Sequence, residues 1–264
     1  MVENIVNPRG EVMIEARGLV KDYGPHRAVD GLNLAVHSGE VYGFLGPNGA
    51  GKTTTIRMLM GLVEPTEGKV FIGGHDIKTD PRAAKAMVGF VPDRPFLYEK
   101  LTATEFLWFH AGIHVVPRAE TEHRIKELLE FFDLTEWGGE LIEGFSHGMK
   151  QRLTFAGALL HKPRVIIVDE PMVGLDPRGA KLVKETFRRM AQSGCAIIMS
   201  THTLEIAQET SDRIGIIQRG RLIAEGTMDE LRRLADNDGG RLEDIFLSLT
   251  GGEDIEQVIK ILRM

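Results

Sequence analysis

One cysteine, Cys195, occurs in 264 residues. A lone thiol excludes an internal disulfide framework and a thiolate metal cluster, fits a reducing compartment, and reads as buried filler. No stretch approaches the roughly 18 consecutive apolar residues that a membrane helix needs, and Met1 to Gly10 contain no apolar signal core. Basic excess is also lacking. With 32 Lys and Arg against 38 Asp and Glu the net charge is −6, so no global positive field favours nucleic acid or an anionic membrane surface. Internal repeats and low-complexity runs are absent from the sequence. What is present suits a globular chain: 42% hydrophobic and 27% charged residues exclude a disordered, collagenous or coiled-coil protein. At about 150 residues per domain the length corresponds to about 1.8 domains. The expectation is a cytoplasmic protein that binds no nucleic acid, does not insert into a membrane, and meets one only through another protein.

Periodicity divides the chain. From Val12 to Ile77 short strands alternate with turns: Leu32, Leu34 and Val36 alternate, Ser38-Gly39-Glu40 breaks, Val41 to Leu45 is an apolar strand, and Lys69 to Ile72 follows a turn. This part is β-rich with one helix after Lys52. Beyond Pro81 the pattern becomes helical, with a capping box at Thr102-Ala103-Thr104-Glu105, helical spacing of Leu107, Ile125, Leu128, Leu129 and Phe132, and a single strand at Val88 to Val91. From Pro163 to Ile223 the order strand, helix, strand returns, and Val165 to Val168 and Ala196 to Met199 read as buried parallel strands. The predicted division is an α/β core over 1–92 and 162–226, a helical subdomain over 93–161, and a helical appendix over 227–264. The appendix holds nine Asp and Glu against five Lys and Arg. It has breaks at Asp236 to Gly240 and Gly251-Gly252, and Leu242, Ile245, Phe246 and Leu249 form an apolar stripe expected to pack on the parent domain.

The chemistry begins at Gly46-Pro47-Asn48-Gly49-Ala50-Gly51-Lys52-Thr53, which fits G-x-x-x-x-G-K-[ST] between the Val41 strand and a helix-compatible run from Thr53 to Leu62. Glycines let backbone N–H groups close on phosphate oxygens, and the helix N-terminus adds its dipole. Lys52 is placed to reach the β- and γ-phosphates and the Thr53 hydroxyl to bind Mg2+, with Thr54 beside them. A carboxylate fixed at the end of a buried strand must share the metal, and Asp169, closing Val165 to Val168, supplies it. Glu170 extends beyond that strand end as a candidate general base for water.

Further elements in order complete a pattern. Phe145-Ser146-His147-Gly148-Met149-Lys150-Gln151-Arg152-Leu153, shortly before the Val165 strand, resembles the signature motif of ATP-binding cassette (ABC) ATPases. Val173-Gly174-Leu175-Asp176-Pro177 resembles their D-loop, His202 their switch histidine, and Tyr23 their adenine-stacking aromatic. The resemblance spans about Val12 to Gly226. It implies a P-loop NTPase α/β core of ABC type with a β-rich N-terminal subdomain and an inserted helical subdomain. It also implies ATP and Mg2+ as ligands, and a head-to-tail homodimer in which Ser146 and Gly148 cover ATP held by the second subunit. Taken alone, Ser146 reads more readily as an ordinary helix N-cap, His202 as a strand-end histidine, and Tyr23 as a surface or edge-strand aromatic. Within the resemblance, His202 holds the γ-phosphate and the attacking water, and Asp176 links the two active sites. The remaining histidines, His147 excepted, read as solvated.

Two positions depart from the family's pattern. Asp93, in Val91-Pro92-Asp93-Arg94-Pro95, stands where a magnesium-sensing Gln is usual, and a carboxylate cannot donate an amide hydrogen bond. His147 replaces a glycine and adds an imidazole beside a phosphate. The resemblance implies an ATPase subunit that drives a separate membrane permease and sits on the inner face of the membrane through it. Pro95-Phe96-Leu97-Tyr98 offers apolar and aromatic docking groups for that partner. The motifs around Asp93, Ser146 and Asp169 look most like export-type subunits. A nutrient importer and a soluble ABC ATPase acting on ribosomes or DNA remain the alternatives.

Overall fold

The computed structural model describes residues 10–172 and 175–234, together with Leu242 and Phe246. Two long strands, β1 (Val12–Tyr23) and β2 (His26–His37), pair antiparallel, and β4 (Glu67–Ile72) and β5 (His75–Asp76) extend them into a four-stranded sheet ordered β2-β1-β4-β5. The alternation in β2 is borne out, because Leu32, Leu34 and Val36 are all buried. The second sheet is built from β3 (Val41–Leu45), β6 (Val88–Val91), β7 (Val165–Asp169), β8 (Ala196–Thr201), β9 (Arg213–Gln218) and β10 (Arg221–Gly226). Its order is β10-β9-β3-β8-β7-β6, parallel except for the antiparallel edge strand β10. All five residues of β3 and of β7 are buried, as befits continuous apolar runs in a sheet covered on both faces.

Helix α1 (Lys52–Leu59) follows β3, and α2 (Pro81–Ala86) precedes β6. The first is shorter than its apolar pattern suggests, since Gly61 adopts a left-handed φ of +60° just past the end. Three helices form a separate layer: α3 (Ala103–Ile113), α4 (Arg118–Phe131) and α5 (His147–Leu159). The capping box forms, with the Thr102 hydroxyl accepting from the Glu105 N–H at 3.2 Å and the Glu105 carboxylate accepting from the Thr102 N–H at 2.8 Å. Leu107, Ile125, Leu128, Leu129 and Phe132 are buried in one cluster that continues under β7 and β8. Helix α6 (Pro177–Gln192) connects β7 to β8, α7 (Leu204–Thr210) precedes β9, and α8 (Met228–Leu234) follows β10.

Cys195 is buried, and burial pushes its thiol pKa up to about 12. Leu242 and Phe246 join a cluster with Leu45, Ala207, Ile214, Ile216 and Leu231, so these two members of the apolar stripe pack on the core. Ile245, Leu249, Val173, Gly174 and the two appendix breaks lie outside the described residues. The expectation of solvated histidines needs correction. His37 is buried against the Glu40 carboxylate at 3.0 Å, and His114 stacks on His161 with ring centroids 3.6 Å apart. Burial lowers the pKa of His110 and of His161 to about 4 in each case. A helix-face pattern cannot show this, because His161 comes from the turn after α5 and meets α3 only in the folded chain.

Candidate ATP-binding site

At the end of β3 the chain turns through residues 46–51 before Lys52 opens α1. The turn needs its glycines. A Cβ on Gly46 would fall 2.4 Å from the Ile217 carbonyl oxygen, and Gly51 is left-handed at φ +109° with Ala28 O only 2.5 Å from where a Cβ would sit. Backbone bonds brace the turn from outside: the Gly46 N–H donates to the Thr201 carbonyl at 3.2 Å, and the Gly220 N–H to that of Ala50 at 2.9 Å. Lys52 is buried and donates to the carbonyls of Gly46 at 2.7 Å and Pro47 at 3.2 Å, with Glu170 Oε1 at 3.7 Å. Burial lowers its pKa, while the carboxylates of Glu170 and Asp169 oppose that shift. The ammonium is thus held over the loop by acceptors that a phosphate oxygen can replace.

Opposite the loop, the parallel pairing of β7 and β8 sets Asp169 beside Ser200. Both are buried. The Ser200 hydroxyl donates to Asp169 Oδ1 and accepts from the Glu170 N–H at 3.1 Å, and that N–H also reaches the Ser200 carbonyl at 3.2 Å. Glu170 is left-handed at φ +52°, a conformation costing a non-glycine residue about 1–2 kcal/mol. The turn carries its carboxylate to His202 Nδ1 at 2.9 Å and towards Lys52. Burial raises the pKa of Asp169. Hydrogen bonds from Ser200 and Thr53 work against this, and the neighbouring charges of Asp93 and Glu170 add to it.

Tyr23, His26, Asn48, Thr53, Asp93 and Glu170 are among the residues around a cavity of about 410 Å3, together with Gly49, Gly51, Lys52 and Thr54. Tyr23 is half exposed at its mouth, with the Lys21 ammonium 5.2 Å from its ring centre. The fold therefore gathers Tyr23, Asp93, the loop, Asp169, Glu170 and His202 in one region. Ser146, Gly148 and Asp176 do not line the cavity. Ser146 caps α5, accepting from the Met149 N–H at 3.3 Å, and exposed Asp176 caps α6, accepting from the Gly179 N–H at 2.8 Å. Nothing lies within 4 Å of the position that a Gly148 Cβ would occupy. Sequence reasoning missed Ser200. Its signal is the register of β7 against β8, which no local pattern carries.

The model of a family described as ABC transporter matches residues 29–173. The chain belongs to the ABC transporter family. It is an ATP-binding, ATP-hydrolysing subunit of an ABC transporter. It is 41% identical over 219 residues to the linearmycin resistance ATP-binding protein LnrL of Bacillus subtilis (strain 168), covering 83% of this chain and 70% of that one. Identity to the bacitracin transport ATP-binding protein BcrA of Bacillus licheniformis is 40% over 225 residues, covering 84% and 72%. A solved ATP-binding subunit of an ABC transporter superposes with a TM-score of 0.86 at 34% identity, covering 90% of this ABC subunit and 99% of that chain. A dimeric post-hydrolysis ATP-binding cassette bound to ADP and Pi shares the fold, with a TM-score of 0.74 at 24% identity over 82% and 99%.

Proposed function

We propose that this ABC subunit is the ATP-driven engine of an exporter, working as a homodimer that closes head to tail on two ATP molecules and acting on a separate membrane permease. The observation that carries the reading is the placement of Glu170 Oε1 between His202 at 2.9 Å and Lys52 at 3.7 Å, beside a loop built for phosphates. In this reading residues 46–51 wrap the β-phosphate with backbone N–H groups. Lys52 shifts from the Gly46 and Pro47 carbonyls to the β- and γ-phosphate oxygens, and Tyr23 stacks on the adenine. Glu170 accepts a proton from the attacking water, whose oxygen bonds to the γ-phosphorus as the bond to the β-phosphate bridging oxygen breaks and ADP departs. His202 fixes the orientation of that water and the Glu170 carboxylate.

The residues present fit a magnesium ion. Asp169 is a buried carboxylate destabilised by its surroundings, and the Thr53 hydroxyl and Asp93 add hard oxygen donors. Thr53, Asp169 and Asp93 would hold Mg2+, whose charge offsets that building on the phosphate oxygens.

The open capped end of α5 at Ser146 and Gly148 is absent from the subunit's own nucleotide cavity, which supports their role on ATP held by the second copy. Asp176 then connects the two sites. For the permease, Phe96 and Tyr98 are strongly exposed, and Tyr98 meets Phe109 edge to face with centroids 5.2 Å apart. Such a patch suits a coupling segment of a membrane partner. Among the described residues no helix is long and apolar enough to cross a membrane, and the peripheral position on the inner face rests on the proposed permease contact. Export of an antibiotic-like compound is supported by likeness to LnrL, a linearmycin resistance protein, and BcrA, a bacitracin transport protein. Purified protein is expected to hydrolyse ATP with Mg2+, Glu170→Gln to bind ATP without turnover, and the Phe96→Ser, Tyr98→Ser variant to keep turnover but leave the membrane fraction. Undiminished turnover by Glu170→Gln would remove the assigned base.

A further inference from the structure

A second cavity lies at the other end of the core strands. It measures about 890 Å3 and sits among α4, the turn between α5 and β7, the C-terminal half of α6 and the start of β8. Strand β7 spans the distance between it and the nucleotide site, five residues or about 16 Å. A volume of this size falls in the range of sites for small organic ligands.

Two features define what such a ligand must offer. One wall is apolar, formed by Leu128 and Phe131 of α4, Leu159 of α5 and Met190 of α6. The polar part is cationic: Arg124, Lys162, Arg164 and Arg189 face two carboxylates, Glu11 and Glu127. Arg164 pairs with Glu11 at 3.1 Å, Arg124 with Glu127 at 3.3 Å, and Arg189 with Glu185 at 2.9 Å. Lys162, exposed at the rim and left-handed at φ +54°, has no ion-pair partner among the described residues. The Arg124 guanidinium is partly exposed and also donates to the Leu159 carbonyl at 3.3 Å. One ammonium without an ion-pair partner beside an apolar wall suits a molecule with an anionic head and an apolar body.

We propose that this cavity binds an amphipathic anion, a carboxylate or sulfonate on an alkyl or aromatic body, with the head at Lys162 and Arg124 and the body against Leu128, Phe131 and Met190. The ligand would bridge α4 of the helical layer and α6 of the sheet core. The proposal does not depend on the exporter reading.

The test uses the full chain and the probe 8-anilinonaphthalene-1-sulfonate. Its fluorescence should titrate to one saturable site per chain. Decanoate should displace it and decanol should not. Lys162→Glu should weaken binding at least tenfold, Lys162→Arg should preserve it, and Ser193→Trp, which fills the rim from the end of α6, should abolish it. The Phe96→Ser, Tyr98→Ser variant should bind normally. Displacement by ATP with no effect of Lys162→Glu would place the probe in the nucleotide site and overturn the proposal. Equal displacement by decanol, or loss of binding with the exposed aromatics, would overturn it too.

Discussion

Removal of one hydroxyl, in Ser200→Ala, strikes both carboxylates of the proposed catalytic corner. The hydroxyl donates to Asp169 and accepts from the Glu170 N–H at 3.1 Å, within a fully buried position. Its loss leaves the N–H of a left-handed residue with only the Ser200 carbonyl at 3.2 Å, and leaves one Asp169 oxygen short of a donor. Net loss of such hydrogen bonds costs about 1–2 kcal/mol of stability, a fall of roughly 2–8 °C in melting temperature for a chain of this size. The catalytic cost is larger. A carboxylate displaced by a fraction of an ångström from the attacking water loses on the order of 10–100-fold in rate. The phosphate loop and Lys52 are untouched, so the KM for ATP should change less than threefold. Steady-state ATPase kinetics at a temperature where both proteins are folded separate the two effects, and Ser200→Thr, which keeps the hydroxyl, should restore most of kcat. A kcat within twofold of the parent in Ser200→Ala, or a Ser200→Thr as slow as Ser200→Ala, would refute the positioning argument.

Asp93→Ala should retain nucleotide binding in an equilibrium titration but lower turnover, and unchanged steady-state turnover would remove Asp93 from the site. The pKa of His110 and of His161 lies below the ordinary value of 6.5, at about 4, so the unfolded chain takes up protons first as pH falls. Stability present above pH 6.5 is therefore lost between 6.5 and 4, by about 1 kcal/mol per ring at pH 5 after allowance for partial exposure. Urea unfolding of His110→Phe and His161→Leu at pH 7 and pH 5 should show a correspondingly smaller loss than the parent, and identical losses would contradict the assignment. Arg213 ties Glu40 and Glu225 together at 2.8 Å each, joining β9 to β10 and to the turn before β3. Arg213→Met leaves Glu40 with His37 and Glu225 with the Tyr42 hydroxyl in place of a guanidinium, and should cost about 3 kcal/mol in urea unfolding; a loss under 1 kcal/mol would show the network to be dispensable.

Local signals were legible in the sequence. The apolar runs of β3, β6 and β7 and the Thr102 capping box need no distant partner to declare themselves, and the phosphate loop is contiguous. The Asp169 and Glu170 pair was legible because a strand end with two acids is also a local pattern. Ser200 was not, since its partner stands 31 residues away and meets it only through the parallel register of β7 and β8. The stacked His114 and His161 rings escaped for the same reason. The hairpin of β9 and β10 went unassigned within a stretch read as strand, helix, strand, although Arg219-Gly220 marks its turn. Non-local pairing, rather than propensity, separates the two groups.

The mass of Glu170→Gln in solution, with and without ATP and Mg2+, tests the sandwich engine most directly. The account predicts a monomer without nucleotide, a dimer with it, and a monomer again when Ser146→Arg is added. A monomer that holds ATP yet never dimerises would contradict it.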